Sequence, residues 1–225
     1  MELEPRFALA TFGERESPED AFVSSRHASP EAMPAGSVVG TSSLRRECQL
    51  RRAFPALIFR PLRGNVNTRL AKLDAGEYDA IILAITGLRR LGLGERIRAT
   101  VPRALAVPAI GQGILAIEHL AVRPEVGALL EPFTHGPTAI AAAAERAVGR
   151  VVEGSCEVPV GALATVSGDR LAIDAFIGTP DGSCLVRDGI EGEAARAVEL
   201  GHALGDRLLG QGGRDILDRL VRRSA

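Results

Sequence analysis

Residues 37–91 repeat one pattern three times, and this repetition restricts the fold more than any other feature of the chain. Each repeat is a short apolar segment, a turn and a helical segment. The apolar segments lie at 37–40, 57–59 and 78–84, and the helical segments follow at 44–54, 66–75 and 88–91. Strands that are apolar throughout and alternate with helices are typical of a parallel sheet covered on both faces, so the pattern predicts an α/β unit.

The second half of the chain has a different pattern. Residues 110–117 form a glycine-interrupted apolar segment that we predict to be a strand crossing between domains. An alanine-rich helix is predicted at 138–152, and Glu145 and Arg146 are interpreted as its solvated face. Strands are then predicted at 158–165, 170–177 and 184–187, separated by hairpin-type turns, and two helical segments follow. This half therefore predicts an antiparallel meander with helices, an α+β unit.

Positive charge is concentrated in the α/β unit. The net charge of the chain is −1, but residues 41–90 carry nine arginines and one lysine against four acidic residues, a net charge of +6. Arginine binds carboxylate and phosphate groups in a bidentate manner. The distribution indicates an anionic ligand, and a solvated basic face is the alternative interpretation.

The arginines follow successive strand ends. Arg45 and Arg46 lie one turn inside the helix that begins after Thr41-Ser42-Ser43, where hydroxyls and backbone N–H groups favour an anion. Arg63 and Arg69 lie around the next turn, and Arg89 and Arg90 follow the third strand. Ligands of open parallel sheets bind outside the carboxyl ends of the strands, so we predict an arginine-lined cleft there.

The cysteines and histidines give little support to disulfide or metal chemistry. Three cysteines without CxxC spacing predict reduced thiols, and none of the four histidines has a His or Cys at ligand spacing, so no metal site is predicted. Cys48 and Cys184 are interpreted as small buried hydrophobes. Cys156 lies in the loop Gly154-Ser155-Cys156-Glu157, where a reagent can reach its thiol.

Several classes of protein do not fit the composition. No apolar run reaches the ~18–20 residues of a membrane helix, and the first residues lack a signal peptide's basic start and apolar core, so we expect a cytoplasmic protein without membrane partners. The basic segment offers only Phe54, Phe59 and Tyr78 for base stacking, all at apolar positions. A nucleic-acid partner is therefore not expected.

The motifs together resemble the porphobilinogen deaminase (hydroxymethylbilane synthase) family of tetrapyrrole (porphyrin and heme) biosynthesis. They occur in the family's order and spacing: Gly40-Thr41-Ser42-Ser43-Leu44-Arg45-Arg46, Leu62-Arg63-Gly64-Asn65-Val66 with Thr68-Arg69-Leu70, Gly76-Glu77-Tyr78-Asp79-Ala80, Gly87-Leu88-Arg89-Arg90-Leu91, Pro108-Ala109-Ile110-Gly111-Gln112-Gly113, and the Cys156 loop. The resemblance covers nearly the whole chain.

The resemblance implies a site and a reaction. It implies a dipyrromethane cofactor bound covalently to Cys156, and the implied cofactor-binding residues are Cys156, Thr41, Ser43, Arg45, Arg46 and Arg63. Porphobilinogen and the growing polypyrrole would be bound by Arg63, Arg69 and Arg90. The implied transferase condenses four porphobilinogen molecules into hydroxymethylbilane and releases ammonia.

The resemblance also implies the domain organisation. It predicts a periplasmic-binding-protein-like parallel-sheet domain at 19–107 and a C-terminal α+β domain with a three-stranded antiparallel sheet at 136–225. Residues 1–18 and 108–135 would be a remnant of a first domain, only partly present. The full-length form is expected to be a monomer.

Two departures from the family pattern bear on activity. The family has a further N-terminal segment that contains its acidic catalytic residue, so the catalytic residue of this chain is unknown and the chain as written is expected to be truncated, inactive and poorly behaved. The cofactor loop has Ser155 where the family usually has glycine. The alternative function is a non-catalytic module of the same fold that binds an oxyanion or a pyrrole.

Overall fold

The computed structural model describes residues 4–152 and 158–224, with side chains described as far as Leu220. The predicted attachment residue Cys156 lies outside the described residues. Ten strands occur in the described part of the chain: β1 Phe7–Phe12, β2 Asp20–Val23, β3 Val38–Gly40, β4 Ile58–Arg60, β5 Ala80–Ala84, β6 Ala99–Val101, β7 Ala116–Leu120, β8 Val160–Ser167, β9 Arg170–Gly178 and β10 Leu185–Glu193.

Seven α-helices accompany these strands within the same ranges. They are α1 Leu44–Ala53, α2 Val66–Asp74, α3 Ile85–Arg90, α4 Pro124–Leu130, α5 Gly136–Val151, α6 Ala197–Leu208 and α7 Arg214–Ser224. Short 3-10 turns lie at Pro30–Ala32, Gly94–Arg96, Glu131–Phe133 and Ala194–Arg196, and a π-turn at Leu209–Gly213 joins α6 to α7. No helix among the described residues has both the length and the apolarity needed to cross a bilayer.

The arginine-rich segment forms a five-stranded sheet of order β4-β3-β5-β2-β6. Strand β3 pairs in parallel with β4 and β5, which confirms the predicted parallel sheet. Strand β2 runs antiparallel to both of its neighbours, β5 and β6. The three strands β4, β3 and β5, which the predicted arginines follow, are therefore parallel, and the sheet becomes antiparallel at β2 and β6.

Helices cover both faces of this sheet. One apolar cluster joins the sheet residue Ile81 to Leu70 and Leu73 of α2 and Leu88 of α3. A second cluster joins Ile82, on the opposite face, to Leu50 of α1 and other residues. Because successive residues of a strand point to opposite faces, a strand apolar at every position must be covered twice. The predicted α/β class is confirmed.

The C-terminal unit is a three-stranded antiparallel sheet of order β10-β9-β8, as predicted. Its core packs α5 and α6 against the sheet through residues such as Val148, Ile173 and Leu204, which are at most 2% exposed. The last strand runs to Glu193, beyond the predicted end at residue 187. Strand β10 alternates partly buried and exposed residues, a half-covered pattern that a search for apolar segments does not detect.

The predicted strand at 110–117 is wrong in its first half. Strand β7 begins at Ala116, and residues 110–113 form a turn in which Gly111 and Gly113 have φ of 73° and 85°. A Cβ on Gly113 would lie 2.7 Å from the Glu16 carbonyl oxygen. Only glycine therefore fits this close approach between the two crossing segments, the one that follows β1 and the one that precedes β7. The turn carries Gln112 towards the five-stranded sheet.

Strands β1 and β7 pair as a separate two-stranded antiparallel sheet. The expected exposure of apolar residues is confirmed at Leu115 and Ile117, which are 61% and 43% exposed, whereas Phe7 and Leu9 are half-buried. Among the described residues nothing covers this apolar surface, which is the kind of surface that promotes association. The division of the chain into domains at 1–18 with 108–135, 19–107 and 136–225 stays a prediction.

Helices α5 and α6 approach closely because glycine and alanine lie between them. A Cβ on Gly201 would lie 2.3 Å from the Ala144 carbonyl oxygen, whereas a Cβ on Gly210 would meet nothing within 4 Å. We expect Gly201→Ala to lower the free energy of unfolding by about 1–3 kcal/mol, since backbone must move to admit the methyl group. Denaturant unfolding of Gly201→Ala and the control Gly210→Ala checks this. Equal effects of the two substitutions would contradict it.

Candidate anion-binding site

Helix α1 begins at the carboxyl end of β3, as the sequence pattern predicts. Ser43 caps it by accepting a hydrogen bond from the Arg46 backbone N–H at 3.5 Å. The Thr41 hydroxyl accepts from the Ser43 N–H at 3.2 Å, and the Ser42 hydroxyl donates to the Leu62 carbonyl oxygen at 2.9 Å. Ser42 therefore ties this turn to the turn after β4, which brings two predicted parts of the cleft together.

Arg45 and Arg46 are buried against a carboxylate that the sequence analysis did not select. Asp20 begins β2 and lies opposite Ala84, the last residue of β5. Its carboxylate accepts from Arg45 Nη2 at 2.8 Å and from Arg46 Nε at 3.0 Å. The whole-residue exposures of Asp20, Arg45 and Arg46 are 3%, 5% and 9%. The two arginines therefore lie at the predicted sheet edge but with most of their surface covered.

Neutral groups complete the contacts of this cluster. Gln112 donates to Asp20 Oδ1 at 2.9 Å, Arg45 Nη1 donates to the Val107 carbonyl oxygen at 2.7 Å, and Arg46 Nη1 donates to the Ile82 carbonyl oxygen at 3.2 Å. Burial by itself raises the pKa of Asp20, but the adjacent guanidinium groups outweigh it and hold that pKa below its usual range. Two arginines thus share one ionised carboxylate, which leaves one positive charge in excess.

Arg63 and Arg69 lie at the next strand end and are more accessible. The turn before α2 uses Gly64 at φ 118° and Asn65 as the helix cap, with the Asn65 side chain accepting from the Thr68 N–H at 2.9 Å. Arg69 Nε donates to the Gly64 carbonyl oxygen at 2.7 Å. The Arg63 side chain is exposed and has no hydrogen bond or ion pair within the described ranges. Arg63 is therefore free to receive an anion.

Arg90 is placed differently from the other candidates. It ends α3, and its Nε donates to Glu16 Oε1 at 2.7 Å, with both side chains about two-fifths exposed (41% and 40%). Its neighbour Arg89 is exposed. A ligand carboxylate would have to compete with Glu16 for Arg90 in this arrangement. The structure thus brings Thr41, Ser43, Arg45, Arg46 and Arg63 to one edge and gives Arg90 a carboxylate partner.

The interpretation of Glu145 as a solvated residue is wrong. Its exposure is 0%, and its carboxylate accepts from Arg15 Nη1 at 2.6 Å, from the Gly111 N–H at 2.7 Å and from the Ala164 N–H at 2.8 Å. Arg15 and Gly111 belong to the two segments that join the β1–β7 sheet to the rest of the chain. Glu145 therefore fastens both segments to the C-terminal unit.

Of the two cysteines among the described residues, Cys48 is buried as predicted and Cys184 is only partly buried. Cys48 is 0% exposed, and burial raises the pKa of its thiol to about 12, so it stays protonated and unreactive at neutral pH. Cys184 is half-buried rather than buried. Within the described ranges there is no group of three or more His, Cys, Asp or Glu side chains that could hold a metal ion.

Sequence reasoning missed Asp20 and Gln112, although each had a signal. Asp20 directly precedes the apolar Ala21-Phe22-Val23, and an acid at the start of a buried strand requires a cationic or hydrogen-bonding partner. Gln112 lies between two glycines in a segment that was interpreted as a strand and as a family motif, without a role for the Gln112 side chain. The basic segment offered many possible partners, so the pairing itself was not determined by the sequence.

Comparison with known proteins gives two family-model matches. Residues 1–127 match the "Porphobilinogen deaminase, dipyromethane cofactor binding domain", and residues 139–210 match the "Porphobilinogen deaminase, C-terminal domain". The chain is 52% identical over 220 residues to the porphobilinogen deaminase of Thiobacillus denitrificans, a match that covers 98% of this chain and 72% of that protein. It is 52% identical over 228 residues to the one from Burkholderia thailandensis, covering 100% of this chain and 69% of that protein.

A solved structure gives a weaker match. The second substrate-binding domain of an ABC transporter from Streptococcus pneumoniae aligns with a TM-score of 0.34 and 19% identity, covering 56% of this chain and 57% of that one. This similarity is too low to support any inference about the site.

Proposed function

The chain belongs to the porphobilinogen deaminase family, and we propose that it is a transferase of tetrapyrrole biosynthesis that joins four porphobilinogen molecules into hydroxymethylbilane with release of ammonia. The observation that carries this proposal is the set of arginines gathered at the carboxyl edge of β3, β4 and β5. Porphobilinogen carries an acetate and a propionate group, and every pyrrole added to the product brings two more carboxylates. A positively charged edge is what such a product requires.

The family's dipyrromethane cofactor fits the residues at this edge. The cluster of Arg45 and Arg46 holds one positive charge more than Asp20 neutralises, and Arg45 Nε is a buried donor without a hydrogen-bond partner among the described residues. A buried surplus charge is unfavourable unless an anion approaches it. We propose that Arg45, Arg46, Arg63, Thr41 and Ser43 bind the cofactor's carboxylates, with Cys156 as the covalent anchor. When bound, the cofactor supplies the pyrrole carbon to which the first substrate unit is joined.

We propose that Arg63, Arg69 and Arg90 bind the carboxylates of porphobilinogen and of the growing polypyrrole. Arg63 is exposed and unpaired within the described ranges, and the backbone carbonyl of Gly64 orients Arg69. Bidentate contacts of this kind hold a reacting unit in one orientation and so lower the entropic part of the barrier. We assign proton transfer to none of the described residues. The proposal also includes a cytoplasmic location and a monomeric full-length form.

The proposal is tested by turnover of porphobilinogen in two polypeptides. One consists of residues 1–225, and the other is the same chain preceded by the N-terminal segment of the Thiobacillus denitrificans relative. The match to this chain covers 72% of that relative. Both are purified from a host that makes porphobilinogen and assayed for hydroxymethylbilane and ammonia. We expect turnover in the extended form and a covalently attached pyrrole mass in its intact mass spectrum. Absence of both in each polypeptide would refute the proposal.

The alternative function gives a different result in the same assay. A non-catalytic module of this fold would bind a pyrrole carboxylate or another oxyanion reversibly at the arginine edge. It would then show saturable binding of porphobilinogen by calorimetry, no product and no covalent mass. The exposed Arg63 is the observation that favours this second candidate, since an unpaired guanidinium binds other oxyanions as well as carboxylates.

Arg63→Leu should reduce activity without reducing stability. Because the Arg63 side chain is exposed and makes no ion pair within the described ranges, its removal leaves no buried group unpaired. A charge-assisted contact to a carboxylate contributes about 1.5–3 kcal/mol, so we expect turnover to fall roughly tenfold to a hundredfold. Turnover and denaturant midpoints are compared with those of Arg170→Leu, another exposed arginine, at the start of β9. Equal losses in the two variants would contradict the role of Arg63.

A further inference from the structure

Asp20 is the common partner of the two buried arginines. Its Oδ1 atom lies 3.1 Å from Arg45 Nη2 and 2.9 Å from Arg46 Nη2, and its Oδ2 atom lies 2.8 Å from Arg45 Nη2. Arg46 Nε adds a further contact to Oδ1 at 3.0 Å. Asp20 and both arginine side chains are almost fully covered. With the contacts to the Val107 and Ile82 carbonyl oxygens, both guanidinium groups are held at more than one nitrogen.

Gln112 fixes the carboxylate in turn. Its amide donates to Asp20 Oδ1 at 2.9 Å, and the same amide nitrogen donates to the Pro18 carbonyl oxygen at 2.5 Å. Gln112 Oε1 accepts from Arg45 Nη2 at 3.3 Å. Asp20 is thus oriented by a residue of the turn at 110–113, not only by the arginines that it binds. The carboxylate is thus held in one orientation and can orient both guanidinium groups.

The cluster of Asp20, Arg45 and Arg46 lies at the carboxyl end of the parallel strands. Asp20 lies opposite Ala84 at the carboxyl end of β5, and Arg46 reaches the Ile82 carbonyl oxygen of the same strand. The cluster keeps an excess positive charge, and Arg45 Nε keeps an unused proton. Asp20 therefore neutralises only part of the charge and leaves the remainder for another anion.

We propose that Asp20 is a positioning residue, which orients the guanidinium groups of Arg45 and Arg46 so that their excess charge receives a carboxylate of the cofactor. This inference rests on the proposed function. Without Asp20 the two like-charged guanidinium groups would repel each other and adopt other rotamers, and the carboxylate-binding geometry would be lost although both charges remain. Asp20 itself touches neither cofactor nor substrate in this proposal.

The test measures cofactor loading in Asp20→Asn, which keeps the side chain's size but removes its charge. The variant is made in the polypeptide that turns over porphobilinogen, prepared without cofactor and then incubated with porphobilinogen. Intact mass spectrometry gives the rate at which covalent mass appears, and kcat and KM are measured on the loaded fraction. We expect loading to slow at least tenfold and kcat to fall, with KM for porphobilinogen little changed because Arg63 and Arg69 are intact.

Asp79→Asn is the matched control, the same substitution just before β5 at the opposite end of that strand. Asp79 also pairs with an arginine, Arg26, and accepts from the Val38 N–H at 2.7 Å, but does not contact Arg45 or Arg46. We expect it to lower the unfolding midpoint while loading at the rate of the parent. Similar loading rates in Asp20→Asn and Asp79→Asn, measured well below both unfolding midpoints, would refute the positioning role.

A milder variant keeps the inference testable if Asp20→Asn does not fold. Gln112→Ala removes the hydrogen bond to Asp20 Oδ1 and leaves the three charged groups in place. We expect loading to slow severalfold, and loading at the parent rate would overturn the inference. If the parent itself acquires no covalent mass, the proposed function has failed instead. Normal loading of the parent with normal loading of the Asp20 variant refutes only the positioning role.

Discussion

Cys156→Ser is expected to abolish covalent attachment of the cofactor completely. A serine hydroxyl is far less acidic than a thiol and is a much weaker nucleophile near neutral pH, so the conservative change removes the chemistry while keeping the size of the side chain. The measurement is the intact mass of the variant purified from a host that makes porphobilinogen. The parent should carry the added pyrrole mass, and the Cys156→Ser variant should have only the mass of its polypeptide.

The other two cysteines provide the controls. Cys48 is 0% exposed with a pKa raised to about 12 by burial, and Cys184 is half-buried in the C-terminal unit. We therefore expect Cys48→Ala and Cys184→Ala to retain the attached mass. Attachment that persists in Cys156→Ser and disappears in Cys184→Ala would move the anchor to the other thiol. Cys156 lies outside the described residues, so this assignment depends on the family resemblance and on the experiment.

Glu145→Ala is expected to have the largest effect on stability. Four hydrogen bonds converge on this buried carboxylate, two from Arg15 and one each from the Gly111 and Ala164 N–H groups. Removing it leaves the nearly buried Arg15 guanidinium without a counter-charge. Breaking a buried ion pair in this way typically lowers the free energy of unfolding by about 3–5 kcal/mol. Denaturant unfolding followed by circular dichroism measures the loss. The expected result is a large fall in the unfolding midpoint.

Glu199→Ala is the control for this prediction. Glu199 also lies on a helix and pairs with an arginine, Arg196, but the two side chains are 67% and 61% exposed. Solvent screens such exposed pairs, so the same substitution should change stability little. A loss in Glu145→Ala no larger than that in Glu199→Ala would show that the buried pair does not fasten the crossing segments.

The sequence determined the identity and the order of the elements that build the site. The apolar segments and the Thr41-Ser42-Ser43 cap predict the strand and the helix that carry Arg45 and Arg46, because strand period and helix capping are local properties. The direction of the parallel strands then places Arg45, Arg46 and Arg63 at one edge. The prediction failed at Gly111 and Gly113, because an apolar segment interrupted by glycine fits a strand and a turn equally well.

Only the tertiary structure decided which charges remain available to a ligand. Asp20 lies 25 residues before Arg45 in the chain, Gln112 lies 67 residues after it, and Arg15 and Glu145 are 130 residues apart. An exposed arginine and a buried, paired one look the same in a sequence, since the partner comes from whichever distant segment the packing brings within about 3 Å. The arginine content thus predicted an anion-binding edge. Packing then buried Arg45 and Arg46 against Asp20, because burying a guanidinium requires a nearby carboxylate to offset its loss of water. It paired Arg90 with Glu16 at the surface and left Arg63 exposed without a partner within the described ranges.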